Sequence, residues 1–372
     1  MQANGAVKGF YTQTNGPENA VVAFAREANG TIVHPETVKT GGKGLASVPP
    51  VGFPTVDSSG SVSLTPDGRL LFVVNAGDNT ISSFRVTRSG LKLADRVASG
   101  GILPISLTSS GHLLYVLNEL SGSIYGLRFS NSGRLTPIVN SLQALSTVGP
   151  SGESAQIGFA PDGNVLVVTH RKLGVIDTFR LRDDGSPEPA QSHTASAPHP
   201  FGFAFAGSHL EVSNAGFVAT PSDTADPSQY NGSVSSYDVR DSGALTANGT
   251  VASGGRAACW LVVTKNNRYA FLTNTLSATV SDITTGKGAV SRFSVASDGK
   301  LRLLGQIDSG PGFPSDAALS SDDRYLYVVD PALMGGDTSH IDVYRVGADG
   351  SLTHIQSTAH NLPRGISGAA AF

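Results

Sequence analysis

The chain has 372 residues, a formal net charge of −3 with 15% charged residues, and one cysteine, Cys259. That balance gives no electrostatic case for nucleic acid or an anionic membrane surface, both of which attract clustered Lys and Arg. A single cysteine excludes an intrachain disulfide and a Cys-based metal site, and no apolar run approaches the ~20 residues of a membrane-spanning helix.

The opening "MQANGAVKGF" has neither the basic n-region nor the apolar h-region of a signal peptide. Two compartments stay open: cytoplasmic, or secreted or periplasmic with the signal peptide replaced by a start Met. Low Lys usage and the sequons at Asn29, Asn231 and Asn248 fit secretion, although such triplets are common by chance.

Strands are predicted from the start. "KGFYTQTNGPENAVVAFAREANGTIVHPETV" (8–38) reads as three strands, with no partner for the first. "SVSLTPDGRLLFVVN" (61–75) then sets a pattern of apolar strand, polar turn, apolar strand and polar end residue. It recurs as "PISLTSSGHLLYVLN" (104–118), "QIGFAPDGNVLVVTH" (156–170) and the shortened "GFAFAGSHLEVSN" (202–214). "WLVVTKNNRYAFLTN" (260–274) and "DAALSSDDRYLYVVD" (316–330) complete the series. Each copy is followed by another strand pair around a Gly turn, such as "TISSFRVTRSGLKLADRV" (80–97). The unit is therefore four strands of period-2 alternation, and no stretch has helical periodicity. The end, "GISGAAAF" (365–372), is an orphan first strand. Joined to 8–38 it completes a last blade and leaves no free sheet edge. A fixed repeat of four-stranded units implies radial stacking. The predicted fold is all-β: residues 1–372 form one seven-bladed β-propeller of antiparallel blades, closed by its two ends.

Comparing the repeats with one another separates scaffold from candidate site. The position closing the second strand holds Asn15, Asn75, Asn118, His170, Asn214, Asn274 and Asp330, mostly side chains that bond nearby backbone. His170 is the odd member of that column. The position opening the inner strand reads Ser61, Pro104, Gln156, Gly202, Trp260, Asp316 and Gly368, with no shared type. In a propeller this strand lines the central channel, so the column reads as a shaped pocket at one mouth. Asp316 would be a general acid or base, Gln156 a donor to a developing oxyanion, and Trp260 a stacking wall. In the alternative reading Asp316 caps backbone amides and Trp260 plugs the channel.

Loop lengths point to the same mouth. Turns between the first two strands are short, whereas 40–60, 143–154, 215–232, 275–288 and 331–339 are long, and all emerge on the face where the column opens. Long loops over a rigid scaffold carry binding residues. Glu119 and Arg171 follow the closing column there, and Glu153, His199, Arg256 and Arg364 precede inner strands. Arginines in a pocket suit a carboxylate or phosphate. G-x-S-x-G, H-E-x-x-H and P-loop patterns are absent. The Asp residues of "SDTADPS" lack EF-hand spacing, which leaves a channel calcium ion as an open alternative.

The phrases "PDGRLLFVVNAGDNTISSFRV", "LLYVLNELSGSIYGLRF" and "DDRYLYVVD" resemble the seven-bladed propeller lactonases, which include propeller-type 6-phosphogluconolactonases and carboxymuconate-lactonizing enzymes. The resemblance implies catalysis by His, Glu and Arg side chains at inner-strand starts and adjoining turns around the mouth. "N-E-L-S" matches at Asn118–Ser121, and the family's turn arginine at Arg171. The family's histidine and glutamate positions fall on Pro104 and Gln156, which marks a divergent member.

These readings converge on a lactonase-like hydrolase or cycloisomerase acting, as a monomer, on a small carboxylate-bearing lactone. Asp316, Gln156 and Arg171 are the expected catalytic residues. Trp260, Arg256, Glu119, His170, Ser61 and His199 are expected to bind substrate, and no metal or organic cofactor is implied. The alternative is a non-catalytic propeller that binds a glycan, peptide or protein.

Overall fold

The structure, a computed structural model, describes residues 7–45, 56, 58–146, 153–216, 231–276, 287–332, 338–358 and 362–372. The long connections singled out in the sequence fall largely outside these.

β1 (Gly9–Gln13), β2 (Ala20–Arg26) and β3 (Ile32–Lys39) form an antiparallel ladder. β4 (Val62–Leu64), β5 (Leu70–Asn75), β6 (Thr80–Thr87) and β7 (Gly90–Ala98) form the second sheet. In the third, β8 (Pro104–Ser110), β9 (Leu113–Asn118) and β10 (Ser123–Phe129) are edged by two short pieces, β11 (Leu135–Pro137) and β12 (Gln143–Ala144). The fourth holds β13 (Ser154–Phe159), β14 (Val165–His170), β15 (Val175–Arg180) and β16 (Gln191–Thr194). A seven-stranded sheet follows, of β17 (Pro200–Ala206), β18 (His209–Asn214), β19 (Asn231–Val239), β20 (Leu245–Val263), β21 (Tyr269–Leu276), β22 (Lys287–Val295) and β23 (Leu301–Pro311). The last holds β24 (Ala317–Leu319), β25 (Tyr325–Asp330), β26 (His340–Val346) and β27 (Leu352–Ser357), and β28 (Ser367–Ala371) pairs back onto β1.

The wide sheet is two units sharing one strand. Along its 19 residues, β20 pairs β19 from Leu245 to Ala252 as an outer strand. From Ala258 to Val263 it pairs β21 as an inner strand. The inner strands pack in cyclic order, β28 on β4, then β8, β13, β17, β20 and β24, which returns to β28. The fold is a β-propeller. First and last units share one core of Phe10, Phe24, Ile32, Tyr325, Tyr327 and Val343. Gln356 bonds both backbone groups of Ile32 across that seam, at 2.8 and 2.9 Å. Second strands such as β5, β14 and β25 are buried along their whole length, while β16 and β27 are mostly open to solvent. That gradient is the reason the second-strand runs are continuously apolar: both faces meet another blade.

Spacing along the chain conceals one register slip. Gln156 lies opposite Thr169, and Ser61 opposite Val74. In the third unit Ser106, not Pro104, takes that place, opposite Leu117. The physical cause is the turn: Ser110 pairs Leu113, leaving a two-residue hairpin with Gly111 at φ 56°; the fifth unit has the same tight turn between Ala206 and His209, but its repeat is shortened to match.

The closing column is a set of clamps. Asn75 donates to Ser82 Oγ (2.9 Å) and accepts from Thr40 Oγ1 (2.6 Å) on the connection from the preceding unit. Asn118 donates to the Ser99 carbonyl at 3.0 Å, and Asn274 to Ser291 Oγ at 2.7 Å, which in turn donates to the Ser253 carbonyl at 2.6 Å. Each contact falls in a Ser/Thr-Gly-Gly connection: 40–42, 99–101 and 253–255. The second glycine lies on the asparagine, and a Cβ on Gly255 would come within 2.5 Å of Asn274 Cγ.

Gly255→Ala therefore overpacks a buried clamp and is expected to cost about 1–3 kcal/mol. Gly16→Ala, whose Cβ would meet its nearest atom at 3.6 Å, is the control. Urea midpoints at constant m-value measure both; equal midpoints would remove the close-approach role of the second glycine.

Candidate functional site

The column expected to shape an open pocket instead packs the channel shut. A segment ahead of β4 crosses it: Ser58 Oγ donates to the Ile105 carbonyl (2.6 Å), and Ser59 N to the Ala155 carbonyl (3.1 Å). Trp260 Nε1 donates to the Ser58 carbonyl at 2.9 Å, and the indole packs edge-on to Phe201. Asp316 Oδ1 accepts from the Ala317 N–H at 2.9 Å, the Gly60 and Ala369 amides also favour its ionised form, and its Oδ2 has no hydrogen-bond partner among the described residues. Ser61, Trp260 and Asp316 are 0%, 6% and 4% exposed. Gly202 and Gly368 stand where neighbouring inner strands approach closely. A Cβ on Gly202 would clash with the Cys259 carbonyl, and one on Gly368 would meet Ser61 Oγ at 2.6 Å. The Gln156 amide has both ends engaged by Phe203, donating to its carbonyl at 2.9 Å and accepting from its N–H at 2.8 Å. Asp316 and Trp260 make the contacts of the alternative reading, Gln156 is held by backbone in the same way, and Ser61 Oγ is buried with no hydrogen-bond partner among the described residues. Beneath the plug a cavity of about 340 Å³ runs from Ser59 and Gln156 to Lys265, Ser320 and Asp323 in the short turns of the opposite face.

Burial pushes the Asp316 carboxyl up to about 7 against its three amide donors. Glu211, held only by Ser236 Oγ at 3.1 Å, is likewise pushed up to about 8 by burial.

Polar groups open to the mouth lie one step earlier in the chain. Leu103, Glu153, His199 and Ala257, each just ahead of an inner strand or its paired segment, all adopt positive φ, between 45° and 61°. The strands that follow begin with a register shift, at 104–106, 154–156, 200–203 and 258–261. Such bulges re-aim side chains at barrel rims and beside active sites. Three of the four carbonyls accept from the residue after the closing position: Leu103 from Glu119 N (2.9 Å), Glu153 from Arg171 N (3.0 Å) and His199 from Ala215 N (2.9 Å). Glu119 and Arg171 are thereby fixed on the rim, in different units.

Three rim groups meet between the fourth and fifth units. The Arg171 guanidinium bonds Glu153 Oε2 through Nε and Nη2, at 3.1 and 2.9 Å, and lies 5.6 Å over the Phe201 ring. His199 hydrogen-bonds the Arg171 backbone, and burial followed by the Arg171 charge holds its imidazole below the ordinary histidine range. Beside them Ala155, Phe201, Ala215, Ala257, Cys259 and Trp260 form one apolar floor. Arg256 borders that floor at 8% exposure, and its Nε has no hydrogen-bond partner among the described residues. His170 is fully buried against Asp177 (Nε2 to Oδ2 3.0 Å) and does not reach the rim. Among the described residues no three His, Cys, Asp or Glu side chains gather as metal ligands.

Glu153, named in the sequence among the charges near the mouth but not among the expected catalytic or binding residues, is set by the bulge ahead of the strand, three positions before Gln156. The readable signal was the aligned quartet 103, 153, 199 and 257.

A family model described as lactonase, 7-bladed beta-propeller, matches residues 14–148, 105–216 and 215–369. The chain belongs to this family. No curated protein matches it by sequence. Among solved structures it is similar to the periplasmic gluconolactonase of Pseudomonas aeruginosa, at 18% identity and TM-score 0.70 over 97% of this chain and 99% of that one. A candidate 6-phosphogluconolactonase of Bacteroides fragilis gives 18% and 0.69 over 100% and 99%. A protein of Lactobacillus plantarum gives 15% and 0.72 over 98% and 99%. At these identities the likeness is one of fold.

The Asp316 shift has a measurable sign. Between the ordinary 3.8 and about 7, the folded carboxyl keeps a proton that the unfolded chain releases. Stability therefore falls as pH rises across that window and levels off above it. Asp316→Asn is expected to flatten this limb, so that the variant gains on the wild type between about pH 4 and about pH 7. Parallel unfolding curves for the two proteins would show that the carboxyl is not buried as described.

Proposed function

We propose that this lactonase-family chain hydrolyses a small carboxylate-bearing lactone at the loop-side mouth, above the plug and between the fourth and fifth units. The observation that carries the reading is the meeting of Glu153, Arg171 and His199, the three residue types that the family resemblance implies, on one rim over an apolar floor. The site lies within a single chain of a seven-bladed ring closed by β28 on β1.

The chemistry follows from the electrostatics. Held below its ordinary range, the His199 imidazole is neutral near pH 7 and can accept a proton from an attacking group and return it to the leaving ring oxygen. Arg171, oriented by Glu153, is placed to stabilise the oxyanion that develops on the carbonyl. Arg256 supports the carboxylate part of the proposal, since a buried guanidinium with an unsatisfied nitrogen carries a desolvation cost that an anionic substituent would offset. The reading moves proton transfer from Asp316, enclosed by amides of three inner strands, to His199. Gln156 and Trp260 keep the supporting role of holding the floor.

Ring opening followed by acid release over a panel of neutral, carboxylated and phosphorylated lactones tests this. Turnover is expected on a carboxylated member, falling about 10²–10⁴-fold in His199→Asn. Arg256→Gln is expected to raise KM about 10-fold or more with kcat little changed, the pattern of a lost binding contact. kcat/KM is expected to rise with pH through a midpoint below the ordinary histidine value. No turnover across the panel, with binding of any member retained, would return the mouth to the binding-module reading.

A further inference from the structure

The clamp that ends each second strand is made of neutral groups in four units: Asn75 with Ser82, Asn118 with the Ser99 carbonyl, Asn214 with Ser235, and Asn274 with Ser291. In the fourth unit both partners change together. His170 stands in place of the amide and Asp177 in place of the hydroxyl, with Nε2 3.0 Å from Oδ2. Opposite His170 across the ladder is Ser154, whose Oγ lies 3.4 Å from Nδ1. Neutral groups hold those four units, and the last unit uses an ionisable cluster of Asp330, Asp342, His340 and His354, so the fourth unit is set apart by the serine standing across the ladder from its histidine.

We propose that Ser154, His170 and Asp177 form a nucleophile relay and that Ser154 is the group acylated by substrate, an inference that rests on the lactone-hydrolase reading for its reaction and puts His170 in place of His199 as the base. A carboxylate can only accept, so His170 donates from Nε2, and a neutral imidazole then offers Nδ1 as the acceptor for the Ser154 hydroxyl. Asp177 is anchored by Ser146, whose N–H and Oγ donate at 2.8 and 2.6 Å. Burial works to raise the Asp177 carboxyl, but the hydrogen bonds from His170 and Ser146 outweigh it and hold the group ionised. Ser154 is 5% exposed and adjoins the site along the chain. It follows Glu153 on the rim and precedes Ala155 of the apolar floor. A 3.4 Å contact is long for a committed hydrogen bond, as such bonds are before substrate closes on them.

The steps balance without a cofactor. Ser154 Oγ adds to the lactone carbonyl carbon as its proton passes to Nδ1. The ring C–O bond breaks, and the departing alkoxide takes that proton, leaving an ester on Ser154. Water adds to the ester and gives a proton to Nδ1; the ester bond breaks and Oγ regains the proton. One water is consumed and the hydroxy acid leaves.

A fluorophosphonate probe, with the adduct located by peptide mass mapping on the full chain, tests the relay separately from turnover. A single adduct at Ser154 is expected, absent from Ser154→Ala and formed at least about 10²-fold more slowly in Asp177→Asn. The double variant H170N/D177S restores the pair found in the second and sixth units. It is expected to unfold at the wild-type midpoint and to lose the adduct. An unlabelled Ser154 in the wild type, or wild-type labelling in the double variant, would overturn the relay. Lactone turnover without an adduct overturns the relay and leaves the hydrolase reading standing. An adduct without lactone turnover supports the relay and overturns the lactone substrate.

Discussion

Everything in this ring depends on how one blade is tied to the next at the point where the chain crosses between them. A connection there buries backbone groups that have no ladder partner, and buried polar groups must be paired. The clamp meets that demand with a side chain ending the second strand, a hydroxyl on the third, and an incoming Ser/Thr-Gly-Gly. Thr40, Ser99 and Ser253 supply the carbonyl or hydroxyl, and the glycines let the backbone lie on the amide. In the last unit the pairing is Asp330 with Asp342 and the histidines 340 and 354, so the geometry survives a change of chemistry. Apolar packing between blades is larger in area, but it is non-directional. The clamps are directional, and they set which residue faces the rim.

From that constraint the division of the channel follows. Inner strands held at close approach leave a lumen that side chains fill, and the segment 58–60 bridges strands β8, β13 and β20 while Asp316 reaches back to it. A substrate approaching from the loop-side mouth meets Trp260 and Phe201 as a floor and not an open shaft. The polar groups open to that side are those of the rim, Glu153, Arg171 and His199. The cavity below is a separate compartment reached from the opposite face. Charge follows the same partition. Enclosed carboxyls at Asp316 and Glu211 are pushed towards the neutral form, whereas the rim salt bridge of Glu153 and Arg171 is partly exposed, at 37% and 24%.

The propeller was legible in the sequence because its signal repeats: second strands alternate with turns at a near-constant interval, and seven copies average out any local ambiguity. The clamp asparagines were legible for the same reason. What spacing could not show is register. The third unit closes its hairpin on two residues, so Pro104 and Ser106 exchange places without any change in the number of residues from strand start to closing asparagine. Bulges at the inner-strand starts are equally silent, since one extra residue on one strand leaves the alternation almost intact. Trp260 and Asp316 were read as site groups because they vary between repeats, yet variation also marks positions where unlike neighbours fill one narrow space.

The same blindness to register explains how a chain can show Pro104 and Gln156 at the family's histidine and glutamate positions and still assemble the trio. A bulge moves the rim-facing position by one to three residues, so the chemistry can migrate along the strand start without altering the scaffold. Glu153 sits three residues ahead of Gln156 in the same unit, and His199 holds the corresponding place in the next. Arg171 between them is the matched residue, and it is the one that touches both. Positive φ at Glu153 and His199 costs on the order of 1 kcal/mol each. The surrounding clamps and ladders hold that strain, and the two bulges keep Glu153 and His199 on either side of Arg171.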